Sequence, residues 1–177
     1  MPPIRLFAAL RPPEAICEAL LDTMEGLDGA RWQDFDNLHI TLRFIGEVGP
    51  HQADDIALAL SRVEIRPFTV EISGVGHFET KGRPNAIWAA IVPSAPLTSL
   101  QQSVERACQR AGLAAETRKF IPHITLARLN KASGDIGPWL ARHGQLAHGP
   151  WQCDSFALFE SRLLPGGSVY QEIARFA

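Results

Sequence analysis

The sequence of 177 residues is poor in cysteine. Its three cysteines, Cys17, Cys108 and Cys153, lie far apart, and they form neither a CxxC pair nor a metal-binding cluster with histidines. An odd number of widely spaced cysteines is typical of reduced thiols inside the cell rather than of a disulfide framework or a zinc site. We therefore expect a cytoplasmic protein.

Long apolar runs and an excess of basic residues are also missing. No stretch approaches the roughly 18 apolar residues of a membrane-spanning helix, and residues 1–5 lack the apolar segment of a signal peptide. The formal net charge is −2, which argues against binding of duplex nucleic acid through a broad basic surface. A local basic cleft remains compatible with this composition, and we expect no contact with a membrane.

The composition, 46% hydrophobic and 20% charged, is that of a globular protein, and no low-complexity linker divides the chain. Apolar periodicity and turn residues predict strands at 4–10, 38–45, 68–72, 86–92, 121–129, 151–159 and 168–176. They predict helices at 14–27, 51–63, 97–112 and 138–143.

The two halves of this pattern repeat the order strand, helix, strand, which indicates an internal duplication. Several connections are of hairpin length, so a doubly wound parallel sheet is disfavoured. We therefore expect an α+β fold with a pseudo-two-fold duplication, in which two mainly antiparallel sheets line a central cleft and the helices lie outside. We expect one domain over residues 1–177, made of two intertwined lobes.

The tetrapeptide HITL occurs twice, at residues 39–42 and 123–126. In a strand, successive side chains point to opposite faces, so the histidine and threonine of each copy share one face. The isoleucine and leucine of each copy share the other face, where they can anchor the strand in a core. We expect the two polar faces to meet and form one active site.

Two histidines beside two threonines suit displacement at phosphorus. Histidine titrates near neutral pH, so a neutral His39 or His123 can remove a proton from a nucleophile while the other, protonated, donates to the leaving oxygen. The hydroxyls of Thr41 and Thr125 can donate hydrogen bonds to the non-bridging oxygens. Positioning and charge stabilisation then supply most of the catalysis without a metal.

Two other interpretations compete with this one. A single His-x-Thr in a strand is usually structural, and it is the unchanged repeat that favours a shared site. The histidines could also be metal ligands, but neither motif offers a carboxylate or thiol on the same face, so the ligand set is short. We expect no metal and no cofactor.

The chain resembles the RNA 2′,3′-cyclic phosphodiesterases, also called 2′-5′ RNA ligases, of the 2H phosphoesterase superfamily. That superfamily is named for two His-x-Thr/Ser motifs, and the resemblance covers essentially the whole chain. Beyond the motifs it rests on residues 5–7, 43–46, 78–88, 120–122, 127–128, 160–163 and 170.

The resemblance implies hydrolysis of RNA 2′,3′-cyclic phosphate ends to 2′-phosphates. His39 would be the general acid that protonates the 3′ oxygen, and His123 the general base that activates water. Thr41 and Thr125 would hold the phosphate. The reverse reaction with an RNA 5′-hydroxyl would form a 2′-5′ linkage. The partner would be RNA with cyclic phosphate ends, tRNA fragments among them, and a monomer without an obligate protein partner would suffice.

Residues just beyond the motifs are candidate RNA contacts. Strict alternation puts Arg43 on the face of His39 and puts Phe44 on the aliphatic face. It also puts Arg128 on the face opposite His123, so a role for Arg128 in binding phosphate or stacking on a base requires a twist or a bulge.

Four further residues have either a possible role in the site or a purely structural one. Lys81 and Arg83 lie in a basic turn that could line the cleft, although an ordinary polar turn explains them equally well. Tyr170 could reach the site or simply pack, and Trp88 is assigned to the core.

Two rival functions remain. One is a 2H phosphodiesterase acting on a small cyclic nucleotide or an ADP-ribose cyclic phosphate, which a comparison of mononucleotide and oligonucleotide substrates would distinguish. The other is a non-catalytic RNA- or nucleotide-binding module, against which the two intact histidines argue.

Overall fold

The computed structural model describes residues 2–177 as an antiparallel sheet with helices on one face. The strands are β1 (Ile4–Leu10), β2 (Arg31–Trp32), β3 (Ile40–Val48), β4 (Phe68–Thr80), β5 (Arg83–Ile91), β6 (His123–Arg128), β7 (Ala147–Cys153), β8 (Phe156–Leu164) and β9 (Gly167–Phe176). The helices are α1 (Glu14–Leu21), α2 (Pro50–Ser61), α3 (Ala95–Arg110) and α4 (Gly137–His143), with a short 3₁₀ turn at Phe35–Asn37. No helix within residues 2–177 is long and apolar enough to cross a membrane.

The order of the strands is symmetrical about the two motif strands. Over the described residues it is β7-β4-β5-β6-β3-β1-β8-β9, with β2 also paired to β6. β3 pairs with β1, which precedes α1, and β6 pairs with β5, which precedes α3, so the two connections are alike except that β2 and the 3₁₀ turn lie between α1 and β3. The α+β class, the antiparallel pairing and the internal duplication are therefore as predicted.

The two expected sheets are halves of one hydrogen-bonded sheet. β3 and β6 pair through Ile40 and Ile124, and farther along β6 pairs with β2 instead. The motif strands thus lie side by side and do not face each other across a gap between separate sheets. Pairing satisfies backbone groups that two facing sheet edges would leave exposed.

The main core lies between the sheet and the helices. The aliphatic residues of both motifs, Ile40, Leu42, Ile124 and Leu126, are all at most 3% exposed within it. This confirms that one face of each motif strand anchors it in the core. The opposite face of the sheet carries a smaller apolar cluster, formed by Phe7, Ala9, Ala157 and Phe159 with Tyr170 packed against it.

Three predicted elements have different bounds in the structure. Helix α1 ends at Leu21 rather than near residue 27, and the backbone N–H groups of Thr23 and Met24 donate to carbonyls only three residues back. Strand β4 does not stop at residue 72 but continues through a register shift beside Gly74, whose φ is +86°. The strand predicted at 151–159 is two strands, β7 and β8, because the chain crosses there from one half of the sheet to the other.

Candidate active site

The pairing of Ile40 with Ile124 brings the two motifs together. The strands are antiparallel, so one step of the same register places His39 opposite Thr125 and Thr41 opposite His123. Because the isoleucines point into the core, these four side chains lie on the opposite, open face of the sheet. The structure therefore brings together the histidines and threonines that the sequence singled out.

His39 is held by a hydrogen bond at each ring nitrogen. Its Nδ1 lies 2.7 Å from the Asn37 carbonyl oxygen, and since a carbonyl only accepts, Nδ1–H is the donor. Its Nε2 lies 2.9 Å from the Thr41 hydroxyl, which donates to it when the ring is neutral. The ring centroid lies 4.7 Å from that of Phe7 and 5.3 Å from that of Tyr170.

His123 is oriented in the same way. Its Nδ1–H donates to the Ile121 carbonyl at 2.6 Å. Its ring contacts Phe78 at a centroid distance of 4.8 Å and Trp88 at 5.4 Å. In both histidines the backbone therefore fixes the tautomer, and Nε2 is the nitrogen left for proton exchange on the open face.

Both imidazoles favour the neutral state in the free protein. The pKa of His39 is lowered to about 4, chiefly by burial and also by the positive charges of His123, Arg128 and Arg11, against the opposing effect of the Asn37 carbonyl. Burial and the charge of Arg128 likewise lower the pKa of His123 below its usual 6.5.

A β-bulge reverses the predicted positions of Arg43 and Phe44. In the ladder with β1, Thr41 pairs with Ala9 but Arg43 pairs with Ala8, so Leu42 is the extra residue. Arg43 consequently points to the helices, where it is 7% exposed and bonded to Glu105. The expectation that Arg43 shares the face of His39 is therefore wrong.

The same bulge places Phe44 on the open face of the sheet. Phe44 pairs directly with Phe7, whose ring contacts His39, and it is 41% exposed. The Arg5 guanidinium sits 5.5 Å from the centre of its ring. Its assignment to the aliphatic face was therefore incorrect, and a flat aromatic surface is available next to the histidines.

The same irregularity occurs at the equivalent place in the second motif. In the ladder with β5, Thr125 pairs with Trp88 and Ala127 with Ile87, so Leu126 is the extra residue. Arg128 is thereby turned to the open face, and its charge lowers the pKa of both histidines. The bulge that a role for Arg128 requires is present. Phe44 and Arg128, each five positions after its histidine, are equivalent positions of the duplication.

The remaining predicted residues divide into two groups. Tyr170 reaches the site, because its ring lies edge-on to both Phe7 and His39. Lys81 and Arg83 are exposed at the turn between β4 and β5, where Lys81 adopts a φ of +53°. Arg83 also lines a cavity of about 410 Å³ shared with the loop after Arg128.

Sequence reasoning missed the aromatic walls of the site. Trp88 is half-buried against His123 and does not belong to the core, since its neighbours Ile87 and Ala89 point there instead. Its ring packs against Gly76, where any Cβ would collide with it. Alternation along β5 carried this signal, because the isoleucine beside Trp88 already fills the core face.

The backbone next to His39 is held by two residues that precede it in the chain, Arg11 and Asn37. Arg11 Nη1 donates to the carbonyls of Phe35 and Leu38 at 2.7 and 2.6 Å. The Asn37 side chain donates to the Ser168 carbonyl at 2.8 Å and ties the β8–β9 hairpin, which carries Tyr170, to the segment that orients His39. No sequence motif announced these contacts, because they join residues far apart in the chain.

Comparison with known proteins identifies the family. The family model of the 2′-5′ RNA ligase superfamily matches residues 12–162. The chain belongs to this superfamily.

Individual relatives agree over nearly the full length. The chain is 30% identical over 176 residues to an RNA 2′,3′-cyclic phosphodiesterase of Archaeoglobus fulgidus, covering 98% of this chain and 99% of the relative. It is 33% identical over 141 residues to a protein of the same name from Aeropyrum pernix, covering 78% and 80% of the two chains.

Solved structures share the fold. The apo structure of E. coli LigT superposes with a TM-score of 0.79 at 25% identity, covering 100% of this chain and 98% of that one. LigT in complex with 3′-AMP superposes with a TM-score of 0.78 at 25% identity, covering 99% and 98%. The α+β architecture is thus that of LigT.

Proposed function

We propose that the protein hydrolyses RNA 2′,3′-cyclic phosphate ends to 2′-phosphomonoesters by acid–base catalysis with two histidines and without a metal. The observation that carries this proposal is the meeting of two His–Thr pairs on one open face, with each Nδ1 tied to a backbone carbonyl. The names of the relatives from Archaeoglobus fulgidus and Aeropyrum pernix support the same substrate.

The reaction needs two proton transfers in opposite directions. Nε2 of His123 removes a proton from water as its oxygen attacks phosphorus. The bond from phosphorus to the 3′ oxygen breaks, and Nε2 of His39 donates its proton to that oxygen. Thr41 and Thr125 donate hydrogen bonds to the non-bridging oxygens, and Arg128 stabilises their negative charge. An RNA 5′-hydroxyl in the reverse reaction yields the 2′-5′ linkage.

Substrate binding enables His39 to take up from solvent the proton that the acid needs. In the free protein the low pKa of His39 keeps its ring neutral at pH 7. A phosphate anion beside Nε2 favours the charged ring and raises this pKa. Protonated Nε2 then donates to the Thr41 oxygen, so the Thr41 hydroxyl hydrogen is released from the ring and can turn to the phosphate.

The base of the terminal nucleotide has a surface to stack on. Phe44 presents its exposed ring on the face of the histidines, and Tyr170 lies on the far side of Phe7 from it. In this proposal Lys81 and Arg83, which are exposed at the β4–β5 turn, bind phosphates of the preceding nucleotides. The crystallised complex of LigT with 3′-AMP is consistent with a nucleotide in this fold.

We also propose that residues 1–177 act as one unit, as a monomer in the cytoplasm. Both halves of the sheet contribute one histidine, so neither half has a complete site. The buried state of Cys17, Cys108 and Cys153, all free, fits a reducing compartment.

The test is product analysis of an oligonucleotide that ends in a 2′,3′-cyclic phosphate. We expect a 2′-phosphate product, and the same rate with and without EDTA. A 3′-phosphate product, or activity lost in EDTA and restored by a divalent metal, contradicts the mechanism. Faster turnover of a cyclic mononucleotide than of the oligonucleotide identifies a small-molecule phosphodiesterase instead.

A substrate in which sulfur replaces the 3′ bridging oxygen distinguishes the general acid from the general base. A thiolate leaves without a proton, since a thiol has a pKa of about 8.5. We therefore expect His39→Ala to recover much of its lost rate on the sulfur substrate, whereas His123→Ala does not. The opposite pattern exchanges the acid and the base.

A further inference from the structure

A second basic cavity lies on the helical side of the sheet. It has a volume of about 540 Å³ and opens between the segment 62–68, which follows α2, and helix α3. We call it the arginine cavity, because four of its lining residues are Arg62, Arg66, Arg106 and Arg110.

The four arginines of this cavity form no ion pair within the described residues, and Glu64 is the carboxylate among the lining residues. In a chain with a formal net charge of −2, this is a concentration of positive charge that the fold leaves unneutralised.

Helix α3 contributes a row of two serines and two arginines to the cavity. Ser99, Ser103, Arg106 and Arg110 follow one another at spacings of four, three and four, so they form a single stripe. Arg106 Nη2 donates to the Ser103 hydroxyl at 3.2 Å, which holds the guanidinium along the cavity wall. Like charges at positions 106 and 110 repel each other, and a bound anion removes this cost.

The floor of the cavity is apolar. Val63 and Phe68 are each 8% exposed and Leu100 is 5% exposed, and the exposed parts of these three side chains line the cavity. Guanidinium groups bind phosphate oxygens in pairs and also stack on planar rings. A ligand that combines a planar ring with several phosphates matches both parts.

We propose that the arginine cavity is a second anion site, which binds a nucleoside di- or triphosphate with its phosphates on the arginines and its base over the apolar floor. The site is distinct from the histidines. Helix α3 packs on the core face of the sheet, where its Glu105 bonds Arg43. Its Arg106 is exposed on the side of the helix that faces away from the sheet. His39 and His123 lie on the opposite, open face of the sheet. The sheet therefore separates the cavity from His39 and His123, and the inference does not depend on the proposed reaction.

The experiment is calorimetric titration of the intact protein with ATP and with inorganic tripolyphosphate. The His39→Ala/Thr41→Ala/His123→Ala/Thr125→Ala/Arg128→Gln variant removes the side chains that we propose hold phosphate at the open face, so binding that persists in it belongs elsewhere. We expect ATP binding to persist in that variant and to weaken at least tenfold when Arg66→Gln/Arg106→Gln is added. Arg142→Gln removes one positive charge from an exposed position outside the cavity and should change the affinity less than twofold.

Three results would overturn the proposal. The first is unchanged ATP affinity in the Arg66→Gln/Arg106→Gln protein, with circular dichroism showing an intact fold. The second is equal affinity for tripolyphosphate and ATP, which removes any role for the floor. The third is displacement of ATP by a single-stranded RNA without a cyclic end at lower concentration than ATP itself requires, which makes the cavity an RNA contact.

Discussion

Arg43 is predicted to act on stability and not on RNA. It is 7% exposed, and its guanidinium donates to Glu105 Oε1 at 2.5 Å and to the carbonyls of Phe44 and Ala114 at 2.6 and 2.5 Å. The substitution Arg43→Met keeps an apolar chain of similar length. It leaves one carboxylate without its cation and removes one donor from each of two carbonyls.

The size of the effect follows from these contacts. Removing one partner of a buried ion pair costs about 3–5 kcal/mol. Glu105 keeps hydrogen bonds from Gln109 and from the backbone N–H of Glu116, so the low end of that range, about 3 kcal/mol, applies. In a chain of this size each kcal/mol lowers Tm by about 2–4 °C, which gives a fall of about 6–12 °C.

Urea unfolding at pH 7 measures the loss, and Arg5→Met, at an exposed position, is the matched control. Hydrogen bonds to Glu105 hold its pKa below the usual value, against the effect of burial. Its contribution is therefore present above the unfolded pKa and is lost as pH falls through the folded pKa. The deficit of Arg43→Met should shrink in acid. A variant of normal stability with impaired RNA hydrolysis would refute this reasoning and return Arg43 to the site.

Four further predictions concern the open face. NMR titration of the free protein should give His39 a pKa near 4, and a bound nucleotide 2′-phosphate should raise it; an unchanged value would remove the proposed source of the acid's proton. Because that pKa lies below the unfolded 6.5, the unfolded chain binds more protons between the two values, so stability falls as pH drops from about 6.5 to 4, and His39→Asn should flatten this fall. Arg128→Gln should raise the pKa of both histidines while lowering kcat/KM by at least tenfold; unshifted titrations would show that the guanidinium lies elsewhere. Phe44→Ala should raise KM for an oligonucleotide several-fold with little change in kcat, and an effect confined to kcat would exclude a stacking role.

The sequence was sufficient to predict the fold class and the meeting of the two motifs. A repeated HITL supplies both signals at once, because its aliphatic residues require a core on one side while its histidines and threonines require an open face on the other. The duplication then places the two copies in equivalent strands. Antiparallel pairing of Ile40 with Ile124 completes the arrangement.

The residues just beyond the motifs could not be placed by alternation. One extra residue, Leu42 or Leu126, reverses the facing of all that follows, and nothing in either side chain distinguishes it from a regular strand residue. The bulge is set by the register with β1 and β5, which is a property of the assembled sheet. For the same reason the contacts of Arg11 and Asn37 become visible only in three dimensions.

The most direct test of the account is single-turnover hydrolysis of an oligonucleotide 2′,3′-cyclic phosphate by the wild type, His39→Ala and His123→Ala. General acid–base catalysis contributes about 10²–10⁴-fold for each group. We predict losses of at least this size in both variants, with unchanged circular dichroism. Near-wild-type turnover by either folded variant would contradict the claim that the two motif strands form one catalytic site.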